Sequence, residues 1–135
     1  MPRMTAAEAV VGMAPDGYTL LTCVTAHAIN ATLYEKLNFN FIRDIMPVAA
    51  ISREPLVMVV NPSFPAKTVS EFIAYAKANP GKVRYGSSGP GSASHLAGEL
   101  FASIAGLELL HVPYKGTGQA LTDLLAGHID LMFAP

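Results

Sequence analysis

Short apolar runs alternate with amphipathic segments over most of the chain after residue 55. Four runs of apolar and β-branched residues, at 56–60, 82–87, 107–114 and 129–133, predict short buried strands. The three segments between them carry apolar residues at helical spacing and predict helices. Because parallel strands need crossover connections and helices supply them, this alternation predicts an α/β fold with a parallel sheet covered on both faces.

Each of the three helices is expected to bury one apolar face. The residues expected on these faces are Val69, Phe72, Ile73 and Ala76 in the first helix, Leu96, Leu100, Phe101 and Ile104 in the second, and Leu121, Leu124 and Leu125 in the third. Thr68 and Glu71 stand at capping-box spacing, which predicts the start of the first helix.

The first 50 residues have a less regular pattern. A short helix is predicted over 5–13, with Thr5 and Glu8 at capping-box spacing, and a second helix over about 28–34. The run Tyr18–Thr25 between them predicts a buried strand, and Cys23 within it is expected to be a buried structural thiol. Residues 35–50 show no clean period.

Composition narrows the class of protein. A chain of 135 residues that is 51% hydrophobic is long enough for one domain with a real core. Its 9 basic and 10 acidic residues give a net charge of -1, and without a basic run nucleic acid is not an expected partner. No apolar stretch approaches the roughly 20 residues that span a bilayer. Glu8 interrupts the N-terminal segment, so no secretory signal is expected in this sequence.

The stretch between Tyr85 and Leu100 is rich in glycine and serine and joins a predicted strand to a predicted helix. The first N–H groups of a helix lack intrahelical partners and the helix dipole is positive there, which favours an anion. Glycines at 86, 89 and 91 let a ligand approach the backbone, and the serines offer hydroxyl groups. The same pattern is also typical of a capped turn with no ligand. A second loop, 114–118, is expected at the same edge of the sheet, where α/β proteins bind ligands.

The chemistry of these loops favours binding of a small carboxylate. The glycine spacing fits neither the P-loop nor the dinucleotide fingerprint. A serine hydrolase using Ser87 or Ser88 with His95 is an alternative, although the nucleophile-elbow motif is absent. The four histidines share no spacing typical of a metal site, so neither a metal nor a cofactor is expected. Lys115 is either a charge for the anion or a solvated lysine.

Five motifs follow one another along the chain. They are Pro15-Asp-Gly-Tyr-Thr-Leu-Leu21, Pro65-Ala-Lys-Thr68, Ala76-Lys-Ala-Asn-Pro-Gly81, the stretch Ser87–Leu100 and His111-Val-Pro-Tyr-Lys-Gly116. In this order they resemble the Bug family, the substrate-binding receptors of tripartite tricarboxylate transporters. The resemblance implies a two-lobed periplasmic binding protein of type II, a Venus flytrap that closes on a small carboxylate and delivers it to membrane transporter subunits. Whether the ligand is a dicarboxylate, a tricarboxylate, an amino acid or an aromatic acid stays open.

The resemblance also implies the ligand-binding residues. On the second lobe they are Ser87, Ser88, Gly89, Gly91, Ser92, Ala93, Ser94 and His95, together with Tyr114, Lys115, Gly116 and Thr117. On the first lobe they are Thr25 and His27. No cofactor, metal or catalytic residue is implied.

Members of that family are more than twice as long as this chain. Residues 1–50 are therefore expected to be an incomplete piece of the first lobe, and residues 51–135 a nearly complete second lobe. Exposed apolar faces and unpaired edges predict self-association, or partial disorder of the first 50 residues. A cleft closed from one side is expected to bind its carboxylate only in the millimolar range or not at all. A truncated receptor fragment without function is the remaining alternative.

Overall fold

The computed structural model of the chain describes residues 2–34 and 36–135, except for the side chains of residues 2–5 and 30. The chain forms two compact units, residues 1–53 and residues 54–135. This boundary lies close to the one expected between two lobes, and the assignment of the units to lobes stays a prediction.

The larger unit contains a four-stranded sheet. Its strands are β1 (Val57–Val60), β2 (Val83–Ser87), β3 (Leu109–Pro113) and β4 (Leu131–Ala134), in the order β1-β4-β2-β3. The pairs β2–β3 and β2–β4 are parallel, as expected. The pair β1–β4 is antiparallel, so the expectation of a purely parallel sheet is wrong for this edge. An all-apolar run such as 56–60 shows that a strand is buried, but it carries no information on strand direction.

Helices cover both faces of this sheet. The helices α4 (Val69–Ala78) and α5 (Ala93–Ala105) contribute Phe72 and Ala102 to one core cluster, and α6 (Thr117–Leu125) contributes Leu124 to a second. Neighbouring residues of β4 alternate between the clusters, with Leu131 in the first and Met132 in the second. The unit is therefore a three-layer α/β structure, with the fold class that the sequence predicts.

The buried helix faces differ from the expected ones. In α4, Phe72 and Ala76 are buried as predicted, whereas Val69 is exposed. The residues of α5 expected to be buried, Leu96, Leu100 and Ile104, are 41%, 61% and 79% exposed, and only Phe101 packs against the core. In α6, Ala120 and Leu124 are buried and Leu121 and Leu125 are exposed.

The reason for the change in α5 is the aromatic ring of Tyr85. The buried residues of this helix are small, namely Ser94, Gly98 and Ala102. A Cβ at Gly98 would lie 2.7 Å from Cδ2 of Tyr85 and nearer still to Cε2. The small face of α5 therefore lies against a large side chain of β2, and the leucines are left on the outer side.

The regular secondary structure described in the smaller unit consists of helices. It contains α1 (Pro2–Val11), α2 (Thr25–Leu33) and the short α3 (Phe41–Asp44), which Asn40 caps by accepting hydrogen bonds from two backbone N–H groups. The predicted capping role of Thr5 lies outside the described side chains. Residues 2–34 and 36–53 contain no strand, so the strand predicted over 18–25 is wrong. A strand needs a partner to complete its hydrogen bonds, and this part of the chain offers none.

Several side chains of residues 18–25, where the strand was predicted, are exposed to solvent. Tyr18 is 93% and Leu20 73% exposed, and Cys23 is an exposed free thiol, so the prediction of a buried structural thiol is wrong. Among the described residues, no helix is long and apolar enough to cross a membrane.

Candidate functional site

The glycine and serine loop joins β2 to α5 as predicted. Ser92 is the N-cap of α5, and its side-chain oxygen accepts a hydrogen bond from the backbone N–H of His95 at 3.2 Å. Gly89 and Gly91 have φ angles of 117° and 71°, which side chains other than glycine rarely adopt. The loop shape therefore depends on these two glycines.

The two predicted loops lie side by side at the carboxyl ends of β2 and β3. Ser87 pairs in register with Pro113, and the backbone N–H of Tyr114 donates to the carbonyl of Ser87 at 3.0 Å. A Cβ at Gly89 would lie 3.2 Å from the carbonyl oxygen of Tyr114, so the backbones approach closely. The parallel pairing of the strands thus brings the segments 87–95 and 114–117 together.

Three backbone N–H groups of the first loop bind to side chains of the loop itself. The N–H of Ser88 donates to Ser94 Oγ at 3.0 Å, that of Gly89 to Ser87 Oγ at 3.1 Å, and that of Gly91 to His95 Nδ1 at 3.2 Å. The backbone hydrogen bonds at the start of α5 begin with Leu96, whose N–H donates to the carbonyl of Ser92. The donors that this arrangement leaves for a ligand are accordingly those of the first helical turn, at Ala93 and Ser94.

The serine hydroxyl groups form a connected network beneath the loop. Ser94 Oγ lies 3.2 Å from Ser88 Oγ and 3.1 Å from Ser92 Oγ, and Ser92 Oγ donates to the carbonyl of Gly89 at 2.6 Å. Ser87, Ser92 and Ser94 are buried, whereas Ser88 is half-buried. Ser88 is therefore the one serine of the four whose hydroxyl has appreciable access to solvent.

A histidine that the sequence did not single out for the site lies under the loop. His111 in β3 places Nε2 2.7 Å from Ser87 Oγ, and its ring stacks on those of His95 and Tyr85, with centroids 4.2 Å and 4.8 Å apart. Burial lowers the pKa of His111, the nearby His95 lowers it further, and Glu99 partly offsets this. Because side chains alternate between the two faces of a strand, His111 lies on the same face of β3 as Leu109. This alternation was the sequence signal that could have placed His111 under the loop.

The second loop, residues 114–117, is anchored by Tyr114 and leads into α6, which has no side-chain N-cap. Tyr114 donates its hydroxyl hydrogen to Asp123 Oδ2 at 2.7 Å, and burial together with this bond raises the pKa of Tyr114 to about 12. The N-cap of α6 is Gly116, which has no side chain to cap the helix. The first N–H groups of α6, beginning at the half-buried Thr117, therefore have no side-chain acceptor at the N-cap, and Lys115 beside them is exposed.

The two remaining predicted residues belong to the smaller unit. Thr25 is the first residue of α2 and is exposed, whereas His27 is 6% exposed. His27 Nδ1 accepts the backbone N–H of Val24 at 3.1 Å, and its ring stacks on Phe41. Within its own unit, His27 thus has the contacts of a structural histidine.

Two cavities of the larger unit are lined by residues outside the glycine and serine loop. One of about 390 Å³ is at the amino end of β2, where Arg84 forms an ion pair with Asp130 at 2.9 Å, and a second is lined by Tyr114, Gln119, Thr122 and Asp123. Among the described residues, no group of three histidine, cysteine or acidic side chains is arranged to hold a metal ion.

A family model described as "Tripartite tricarboxylate transporter family receptor" matches residues 3–135. The chain belongs to this family. Its members are periplasmic solute-binding receptors rather than enzymes. A UPF0065 protein of Bordetella pertussis is 39% identical over 132 residues, which are 97% of this chain and 41% of the relative. The chain thus spans less than half the length of this relative.

Solved structures of similar proteins agree with the fold. A Rhodopseudomonas palustris protein described with adipate has a TM-score of 0.85 and 36% identity, over 97% of this chain and 44% of that one. MatC from Rhodopseudomonas palustris, described with bound malate, has a TM-score of 0.81 and 31% identity, over 97% of this chain and 45% of MatC. The fold class and the resemblance to the Bug receptors are therefore confirmed.

The serine hydrolase alternative has no support in the geometry of the loop. Ser87 is fully buried and bonds to His111, not to His95. The Ser88 hydroxyl lies beside Ser94, and His95 Nδ1 already accepts the N–H of Gly91. Neither serine is thus paired with the base that the alternative requires.

Proposed function

We propose that this chain is part of a periplasmic receptor that binds a small carboxylate at the loops 87–95 and 114–117 and passes it to membrane transporter subunits. The observation that carries the proposal is the meeting of two helix starts, those of α5 and α6, beyond two neighbouring parallel strands. Helix starts of this kind combine unpaired N–H groups with a positive dipole and favour an anion.

The donors at this place suit a carboxylate better than a phosphate ester. They are neutral N–H groups at Ala93, Ser94 and Thr117 and the hydroxyl groups of Ser88 and Thr117, and Lys115 is the one cation in the two loops. A ligand with one or two negative charges matches such a set. The adipate and malate described with the two similar receptors are of this class.

The other residues predicted to bind the ligand belong to the same proposal. Gly89 and Gly91 shape the loop, and Tyr114 and Gly116 carry the second loop toward α6. Thr25 and His27 stay predicted ligand contacts, and the single variants Thr25→Ala and His27→Gln test each of them separately.

The proposal is tested by titrating the ¹⁵N-labelled chain with malate and with adipate at neutral pH. We expect amide shifts concentrated in residues 88–95 and 114–118 and a dissociation constant in the millimolar range, about -4 kcal/mol of binding free energy, because this chain spans less than half the length of the similar proteins. Adipamide, which has the same chain length without charge, should produce no such shifts.

Paired variants make the test specific. Ser88→Ala and Thr117→Val each remove one hydroxyl at the proposed site and should weaken binding by severalfold. The control is Ser103→Ala, which removes an exposed hydroxyl from the far end of α5. Shifts scattered over the surface, or equal binding of adipate and adipamide, would contradict the proposal.

A further inference from the structure

The rings of His95 and His111 stack beneath the loop proposed to bind the carboxylate, with centroids 4.2 Å apart. One ring belongs to α5 and the other to β3, so the pair joins the start of a helix to a strand across the loop. Each ring has one nitrogen within hydrogen-bond distance of a loop group, at Gly91 for His95 and at Ser87 for His111.

The bond of His95 fixes which of its nitrogens carries a proton. The backbone N–H of Gly91 can only donate, and it points to Nδ1 of His95 at 3.2 Å. Nδ1 must therefore present a lone pair, and in the neutral ring the proton is on Nε2. Nε2 faces Glu99 Oε1 at 3.8 Å.

The burial of Ser87 determines the direction of the hydrogen bond between Ser87 and His111. Ser87 is fully buried, and its Oγ already accepts the N–H of Gly89 at 3.1 Å. A buried hydroxyl hydrogen needs an acceptor, and the partner present is Nε2 of His111 at 2.7 Å. His111 therefore also acts as an acceptor and holds Gly89 indirectly through Ser87.

We propose that His95 and His111 are positioning residues that hold the N–H groups of Gly91 and Gly89 only while both rings are uncharged, so that acid weakens carboxylate binding at this loop. This inference rests on the proposed function for its effect on binding. Protonation of His95 would set a ring N–H against the N–H of Gly91, which can only donate. Protonation of His111 would leave the buried hydroxyl hydrogen of Ser87 without an acceptor, and the hydroxyl that binds the N–H of Gly89 would lose the bond that orients it.

The groups around His111 favour its uncharged ring on balance. His111 faces Tyr85 and Ser87 from β2 and His95 and Glu99 from α5. Glu99 would favour a charged ring, but its side chain is 56% exposed and accepts the hydroxyl hydrogen of Tyr85. Burial acts in the opposite direction and lowers the pKa of His111. Because this pKa is below its unfolded value, the neutral ring stabilises the fold fully above about pH 6.5, and this contribution is lost as the pH falls toward the folded pKa.

The test combines two measurements on the chain between pH 5.5 and 8, where a simple dicarboxylate keeps most of its charge. Ring ¹⁵N shifts report the protonation of each histidine, and amide exchange, corrected for its intrinsic pH dependence, reports the bonds of Gly89 and Gly91. We expect both amides to lose protection as the rings become charged. Below the pH at which the first of the two rings is half charged, the dissociation constant for malate should rise about tenfold per pH unit.

Two variants separate the hydrogen bond from the packing. His111→Gln keeps an acceptor that does not titrate, so the loss of Gly89 protection in acid should disappear. His111→Phe keeps a stacked ring without an acceptor, so Gly89 should exchange fast at every pH. The control is His128→Gln, which removes a histidine whose side chain is 70% exposed and should leave the midpoint unchanged. If His111→Phe does not fold, the ring shifts of the unmodified chain and His111→Gln still decide the question.

The outcomes also separate this inference from the proposed function. If malate and adipate do not bind at any pH but the amides follow the titration of the rings, the positioning role stands and the proposed function fails. Binding of malate that is constant from pH 5.5 to 8, tighter binding in acid, or amide protection that ignores the charge on the rings would overturn the inference.

Discussion

Two glycines in helices show how one residue decides the spacing of two elements. Gly98 faces the ring of Tyr85 with no room for a methyl group, whereas a Cβ at Gly118, in the first turn of α6, would meet no atom within 4 Å. The neighbouring Glu99 accepts the hydroxyl hydrogen of Tyr85, so the same turn of α5 binds both the face and the end of this side chain. The distance between α5 and the sheet is therefore set at Gly98.

We predict opposite effects for the same substitution at these two positions. Gly98→Ala should lower the free energy of unfolding by about 1–3 kcal/mol, because the added methyl group forces the Tyr85 ring or the helix to move. Gly118→Ala should raise it by about 0.5–1 kcal/mol, because alanine is the better helix former and the position is open. Urea unfolding measures both, and equal effects would contradict the role given to Tyr85.

At the scale of elements, α4 and α5 begin in similar ways but with different consequences. Thr68 caps α4 through one hydrogen bond, from the N–H of Glu71 at 3.2 Å. Ser92 caps α5 in the same way and also donates to the carbonyl of Gly89 at 2.6 Å. The start of α5 is thus part of the loop that precedes it.

Removal of the two caps should therefore differ in cost. Thr68→Ala should reduce the free energy of unfolding by about 1 kcal/mol, the usual effect of a lost N-cap. Ser92→Ala should reduce it by about 2 kcal/mol, because it also removes the bond to Gly89. Denaturant titrations of both variants measure the difference. Equal losses would show that the bond from Ser92 to Gly89 contributes nothing.

At the scale of the whole molecule, the buried side chains are distributed unevenly between the units. In residues 54–135 they form two clusters that enclose the sheet, and Tyr85, Phe72, Leu124 and Leu131 are nearly inaccessible. In residues 1–53 the buried described side chains are those of Ala7, His27 and Phe39. The larger unit therefore contains most of the apolar burial that stabilises the fold.

Hydrogen exchange on the intact chain should reflect this distribution. Amides of β2 and β4 should exchange only when the larger unit unfolds as a whole, because both strands lie inside the sheet. Amides of α1 and α2 should exchange faster by at least about tenfold, since little apolar surface is buried around them. Comparable protection in both units, measured by mass spectrometry or NMR at one pH, would contradict this prediction.

The sequence by itself determined the alternation of strands and helices after residue 55, the capped starts of α4 and α5, and the place of the glycine and serine loop. These features depend on local signals, since apolar period, capping residues and glycines with positive φ act within a few positions of the chain. The motifs that follow from them also carried the family resemblance.

Only the tertiary structure decided the features that depend on a partner distant in sequence. The apolar run 18–25 has the composition of a strand but no strand beside it, and the leucines of α5 gave way to Gly98 because Tyr85 fills the space on the sheet. The antiparallel direction of β1 and the place of His111 under Ser87 likewise follow from pairing between strands. Local pattern shows that a residue prefers burial or extension, and the partner that satisfies it is chosen by packing across the whole unit.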